Sequence, residues 1–246
     1  MYFFLNNDDL RLDLLIIYSN SLDMPRQLSS GMRTLAVSAT LPNLSDIAYF
    51  LEAHEAFAFD ASYRPCPLTT HVVGLGYIGK NQFMFDKSLN RHVPDIIKRF
   101  SNGKPTIIFC HTKKETEVLS SDLTKLFGNS RNKNNNDISN LCKKATVPSL
   151  QRCLRHGVAY HHAGIESDDR ELVEQAFLNG LIHCLCATST LATGVNLPSH
   201  LVIIKGTTTW RGSGIGYQEI DTGTLLQMIG RAGRPGFDTS GTAVVS

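Results

Sequence analysis

Leu225-Leu226-Gln227-Met228-Ile229-Gly230-Arg231-Ala232-Gly233-Arg234-Pro235 is the stretch on which the reading of this chain turns. Spaced by the 3.6-residue helical turn, Leu225, Met228, Ile229 and Ala232 form one apolar stripe, and Gln227, Arg231 and Arg234 share another face. Gly230 and Gly233 lie between them, each costing about 1 kcal/mol against alanine inside a helix. A helix that tolerates both predicts a second backbone or a ligand close by. Two forked, permanently charged guanidiniums one turn apart suit the oxygens of a polyphosphate.

Working outward, composition sets the bounds. The chain has 246 residues, 42% hydrophobic and 19% charged, enough for one or two globular domains with a sizeable core. A formal net charge of +2 is nearly neutral, so a nucleic-acid partner requires a local basic groove. Cys66, Cys110, Cys142, Cys153, Cys184 and Cys186 contain no C-x-x-C pair and sit mostly among apolar residues. They read as reduced, buried thiols of a cytosolic or nuclear protein. Cys184-x-Cys186 with His183, His161 and His162 lacks zinc-ligand spacing, and adjacent histidines on a strand point to opposite faces, so no metal site is expected. The apolar run Leu14–Ile17 follows acidic residues and is far too short to cross a bilayer, which predicts neither a signal peptide nor a membrane anchor.

Polar groups recur where α/β sheets place ligand contacts, at the carboxyl ends of strands. Leu35-Ala36-Val37 leads into Ser38-Ala39-Thr40. The β-branched run Thr106–Cys110 leads into His111-Thr112, where Thr112 and Glu115 make a capping box for a helix bearing Val118, Leu119 and Leu123. Val158-Ala159-Tyr160 delivers His161-His162-Ala163-Gly164, although Asp168 and Asp169 in the next helical turn would repel an anion on its axis. Leu181–Ala187 delivers Thr188-Ser189-Thr190, then Gly194 and Asn196; such short donors and permissive backbone suit sugar-phosphate contacts. Residues 128–140, rich in Asn and Lys, read as a surface loop, and Trp210 to Gln218 as a hairpin. Gly74-x-Gly76-x-x-Gly79 lacks an immediate helical stripe and an acidic end to the next strand, so it is a chance match to a dinucleotide fingerprint. Strands and helices alternating from Val72 to Val245 predict a parallel sheet covered on both faces.

In order along the chain, these stretches resemble motifs of the superfamily-two helicases of the Ski-like branch. Ser38-Ala39-Thr40 resembles motif III, Phe109–Lys113 motif IV, Tyr160–Gly164 the family's Tyr-His-His-Ala-Gly motif, Thr188–Pro198 motif V and Gln227–Asp238 motif VI. Asn81–Asn90 and Gly233–Asp238 are similar to the meiotic crossover DNA helicases within that branch. The resemblance implies an α/β, RecA-like fold: 1–62 the end of a first RecA-like domain, 63–68 a linker, and 69–246 a second RecA-like domain. It implies that Arg231 and Arg234, with Gln227, complete an ATP site. Ser38, Ala39, Thr40, Gly194, Asn196 and Gly230 would serve ATP binding and coupling. His111, Thr112, His161, His162, Gly164, Thr188, Ser189 and Thr190 would touch nucleic acid. ATP and Mg2+ would be shared with the first RecA-like domain. The partner would be single-stranded or branched DNA in the nucleus, unwound 3′ to 5′. No G-x-x-x-x-G-K-S/T and no Asp-Glu-x-His occurs, so the chain is expected to be inactive alone. Alternatives are an RNA helicase of the spliceosomal or exosome type and a noncatalytic nucleic-acid-binding module.

Overall fold

The computed structural model describes residues 36, 44–51, 53, 55–74, 76, 81–127, 136–210 and 213–246. Ser38, Ala39 and Thr40 lie outside the described residues. The chain divides into two compact units, Met1–Pro67 and Leu68–Ser246. In the first, α1 (Leu44–Phe50) is followed by a single 3-10 turn, Ala61–Tyr63. Asp60 caps that turn by accepting the Ser62 N–H at 2.8 Å.

The second unit is built on a parallel sheet of six strands: β1 (Leu68–Val72), β2 (Thr106–Phe109), β3 (Val158–His161), β4 (Cys184–Ala187), β5 (Leu201–Ile204) and β8 (Gly241–Val245). Their order is β1-β8-β5-β2-β4-β3. Every residue of β2, β3, β4 and β5 is buried, which is why these strands read as unbroken apolar runs and not as alternating ones. A short antiparallel hairpin, β6 (Thr208–Trp210) with β7 (Tyr217–Glu219), stands outside the sheet, as the sequence predicts for that region.

The helices are α2 (Gln82–Leu89), α3 (Val93–Phe100), α4 (Lys113–Phe127), α5 (Asn136–Lys144), α6 (Pro148–Leu154), α7 (Ser167–Leu178), α8 (Thr190–Gly194) and α9 (Thr222–Ile229). Right-handed crossovers put helices on one face when the chain moves one way across a sheet and on the other when it returns. The steps β1 to β2 and β2 to β3 run one way, and β3 to β4, β4 to β5 and β5 to β8 run back. Helices α2 to α6 therefore cover one face and α7 to α9 the other. The exit of β2 turns to the first face while its neighbours β4 and β5 exit to the second. Such a reversal opens a crevice beyond the carboxyl ends of the strands.

Three sequence expectations are corrected here. Residues 136–140 are not loop: Asn136 opens α5, with Ile138, Leu141 and Cys142 buried at helical spacing. After the Gly74–Gly79 stretch a helix does form, from Gln82, although the next strand still leads to His111 and not to a carboxylate. The helix of motif VI stops at Ile229 with Gly230 as its C-cap, so Arg231 and Arg234 do not share a helical face with Gln227. The chain instead turns into an extended segment in which Ala232 bridges Ser199 in parallel. Gly233 has φ of 90°, a conformation that glycine adopts freely. Gly241, opening β8, lies so close that a Cβ there would stand 2.4 Å from Gly233 N and 2.6 Å from Ala232 C. For Gly233 the predicted second backbone is thus the first residue of β8, whereas a Cβ on Gly230 would meet only carbonyls of its own helix, Leu226 O at 3.1 Å and Gln227 O at 3.6 Å.

Candidate nucleic-acid and nucleotide interface

At the carboxyl edge, four strand exits gather. Thr112 caps α4, its Oγ1 accepting Glu115 N–H at 3.1 Å, while Glu115 Oε2 accepts His111 N–H at 3.1 Å. The capping box therefore reaches one residue further back than a reciprocal pair within Thr112–Glu115. Thr188 Oγ1 and Thr190 Oγ1 lie 3.0 Å apart, and Ser189 and Thr190 are exposed. Gly164 is exposed and closely flanked: a Cβ there would stand 3.1 Å from the His162 ring and 3.2 Å from the Lys113 stem.

The crevice between the β2 and β5 exits is a cleft of about 280 Å³. Phe109, Ile204 and Met228 line it on the apolar side, and His111, Ser189, Thr209 and Thr224 on the polar side. Beside it Lys205, completely buried, donates to Glu115 Oε1 and to Asn90 Oδ1. That one ammonium joins the turn between α2 and α3, the start of α4 and the exit of β5. The next residue, Gly206, has φ of +68°, and a Cβ on it would meet His111 Nε2 at 2.9 Å. Burial pushes the His111 imidazole below its ordinary range, partly offset by Glu115 and Asp86. A second, more open cleft of about 480 Å³ lies between the β3 and β4 exits, lined by Ala163, Ser167, Arg170 and Thr190. Arg170, which the sequence reading missed, sits in it.

His161 and His162 are brought to this edge but turned inward. His161 Nε2 pairs with Glu174 Oε1 on α7 at 2.8 Å. His162 stacks on Tyr160 (5.6 Å, 11°), accepts Gly164 N–H at Nδ1 (3.0 Å) and stands 3.4 Å from Glu117 on α4 without a hydrogen bond to it. The two rings thus go to opposite faces, as alternation on a strand requires. Both are buried, and burial lowers the pKa of each. Their side chains support the loop, and His161, held by Glu174, also forms part of the wall of the second cleft. Asp169 is also turned inward: its carboxylate accepts Thr146 N–H at 2.9 Å and Thr146 O–H at 2.6 Å.

The arginines lie elsewhere. Ser199 and His200, beside which Arg231–Arg234 run, precede β5, so this segment is at the amino end of the sheet and not among the hydroxyl-bearing turns. Arg231 donates from Nε to Ala192 O at 3.1 Å, from Nη2 to the same oxygen, and from Nη1 to Asn196 Oδ1 at 3.2 Å. It therefore holds α8 and the residues after it, joining motif VI to motif V. Arg234 makes a two-pronged pair with Asp238, Nε to Oδ2 at 2.7 Å and Nη2 to Oδ1 at 3.0 Å. Lys104 Nζ reaches Asp238 Oδ1 at 3.0 Å, and His200 Nδ1 stands 3.5 Å from that oxygen. Asp238 was not singled out from sequence, although an acid four residues after an arginine was the available signal. Gln227 is half-buried on α9, and its buried Oε1 has no hydrogen-bond partner among the described residues. Gly194 ends α8.

With that geometry in place, residues 88–236 match the helicase conserved C-terminal domain. This chain belongs to the helicase family. Its fold is that of a RecA-like helicase C-terminal domain. The chain is 41% identical over 225 residues to the ATP-dependent DNA helicase MER3 of Saccharomyces cerevisiae, covering 89% of this chain and 18% of that protein. It is 42% identical over 222 residues to the probable ATP-dependent DNA helicase HFM1 of Homo sapiens, covering 87% of this chain and 15% of that one. It is 36% identical over 231 residues to the RQC trigger complex helicase SLH1 of S. cerevisiae, covering 89% of this chain and 12% of that one. The chain thus spans about a fifth or less of the length of these relatives. Among the described residues, no helix is long and apolar enough to cross a membrane.

Proposed function

We propose that this chain serves an ATP-dependent DNA helicase of meiotic recombination, in the nucleus, that moves 3′ to 5′ on single-stranded or branched DNA. The observation that carries the reading is the gathering of Thr112, Gly164, Ser189 and Thr190 at one sheet edge. Exposed hydroxyls and bare backbone there suit a sugar-phosphate strand without reading its sequence. Likeness to proteins named as ATP-dependent DNA helicases supports DNA as the polymer. The residues 1–62 and 63–68 are proposed as the end of a first RecA-like domain and its linker.

For ATP, the residues present fit phosphate oxygens and not the metal. Arg231 supplies a half-buried guanidinium whose N–H groups outnumber the bonds it makes to Ala192 and Asn196, while Arg234 is engaged by Asp238. Among the described residues no cluster of His, Cys, Asp or Glu could hold a metal ion, so Mg2+ is assigned to the other RecA-like domain and the nucleotide. The bound nucleotide supplies the free energy of phosphoryl transfer. The part assigned to this chain is to set charge beside the phosphates through Arg231 and to carry the change to the strand. Arg231 is bonded to Ala192 and Asn196, and α8 runs directly from Thr190, so a shift of that guanidinium pulls on the hydroxyl-bearing turn.

The chain alone should bind a fluorescent single strand with strong salt dependence and turn over no ATP. Adding a protein that carries the P-loop domain should restore DNA-stimulated turnover, which Arg231→Gln should abolish while strand binding persists. Robust turnover by the chain alone refutes the division of the site. Preferential competition by matched RNA, in place of DNA, would favour the RNA-helicase reading, for which the likeness to SLH1 speaks.

A further inference from the structure

A net charge of +2 leaves open where the attraction for a polyanion resides. From Ile138 to Ile165 the chain carries Lys143, Lys144, Arg152 and Arg155 and not one Asp or Glu. All four belong to α5 and α6 or the residue capping α6, two helices that pack on each other, and all four are exposed. Among the described residues none of them is in an ion pair. Cys142 Sγ on α5 donates to Gln151 O on α6 at 3.6 Å, which ties the two helices together. Cations favour helix C-termini, and all four stand in the last turn or at the C-cap of their helix. Helix-end placement does not account for the absence of any acid from Ile138 to Ile165, a stretch that begins just after the exposed Asp137 in the first turn of α5.

The placement supplies the partner. The connector between α5 and α6 is tied to the first turn of α7 by the Thr146–Asp169 hydrogen bonds, and α7 follows directly on the Gly164 loop. Strand β3 is the last in the sheet on that side, and Lys143 and Lys144 stand at the end of α5, two to three residues before the Thr146 that is bonded to the first turn of α7. The bond to Thr146 also occupies Asp169, whose charge would otherwise oppose an anion there.

We propose that the basic α5–α6 surface is a second contact for the nucleic-acid backbone, carrying the strand outward beyond β3. This rests on the reading of the strand-exit edge given above. Each cation that neutralises a single-strand phosphate adds about 0.7 to the slope of log K against log salt. Lys143→Gln with Lys144→Gln should therefore flatten that slope by about 1.4 and weaken binding about 25-fold at 0.1 M salt.

The test compares strands of about 4 and about 16 nucleotides, the span of site sizes in single-strand binding folds, on the whole chain. The double variant should lose affinity for the long strand only, with its melting transition unmoved because both side chains are exposed. Ser189→Ala with Thr190→Ala should weaken both lengths. Unchanged affinity and slope for the long strand, while the hydroxyl variant still weakens it, would overturn the surface and leave the edge standing. Failure of the unaltered chain to bind either strand would overturn both.

Discussion

Replacing Asp238 by Asn removes one charge from beneath Arg234, Lys104 and His200 and barely alters volume. The carboxylate is fully buried. Burial alone would raise its pKa, but hydrogen bonds from Arg234 and Lys104 and the charge of Arg234 outweigh that and hold it at about 2, against an ordinary 3.8. The difference, 3.8 − 2, at about 1.4 kcal/mol for each pH unit, is about 2.5 kcal/mol of stability. In a domain of this size that corresponds to a fall in Tm of roughly 5–10 °C. The folded group titrates below the unfolded one, so its contribution is complete above about pH 4 and is lost as pH falls through about 2. Urea unfolding of the chain and of Asp238→Asn, followed by circular dichroism, should show the full gap at pH 7 and a closing gap between pH 4 and 2. Arg234→Gln leaves Lys104 on the carboxylate, so it should cost less, and the two changes together should cost less than their sum. An Asn variant within about 0.5 kcal/mol of the unaltered chain at pH 7, or a gap indifferent to acid, would show that the cluster is not the clamp described.

Two further substitutions probe the interior. Gly241→Ala puts a Cβ against main-chain atoms of Ala232 and Gly233 that cannot rotate away, so a loss of about 3 kcal/mol or more is expected from equilibrium unfolding. Lys205→Met strands the Glu115 carboxylate and should cost about 3–5 kcal/mol. Glu115→Gln in the same chain should recover part of this, since an amide oxygen still accepts His111 N–H.

Much of the sheet was legible because its central strands are buried on both faces, and β2 and β5 read as apolar, β-branched runs between breakers. The exits were legible too, since Thr112, Ser189 and Thr190 stand out as hydroxyls at strand ends. What failed was local. Helix α5 was hidden by an Asn- and Lys-rich approach, although Ile138, Leu141 and Cys142 carry its period. Spacing put Gln227, Arg231 and Arg234 on one helical face, but periodicity has no knowledge of tertiary hydrogen bonds. Here Gly230 ends the helix, and Ser199 takes the following segment as a partner. The histidine pair read as nucleic-acid contacts because the carboxylates beside it, Glu174 and Glu117, come from helices on opposite faces and leave no mark in the local sequence.

The position of β8 bears on how the protein is made. It lies between β1 and β5, and among the described residues β1 pairs only with β8, Leu68 opposite Gly241. The strand that opens the second unit therefore waits for a partner 173 residues later (241 − 68). During synthesis the inner strands can assemble as they emerge, but β1 cannot dock until residues 241–245 have left the ribosome. Closure over so long a separation is slow, and the uncovered side of β5 stays open to misjoining until then. A ribosome stalled before Gly241 should hold a nascent chain that proteases cut readily between β1 and β2.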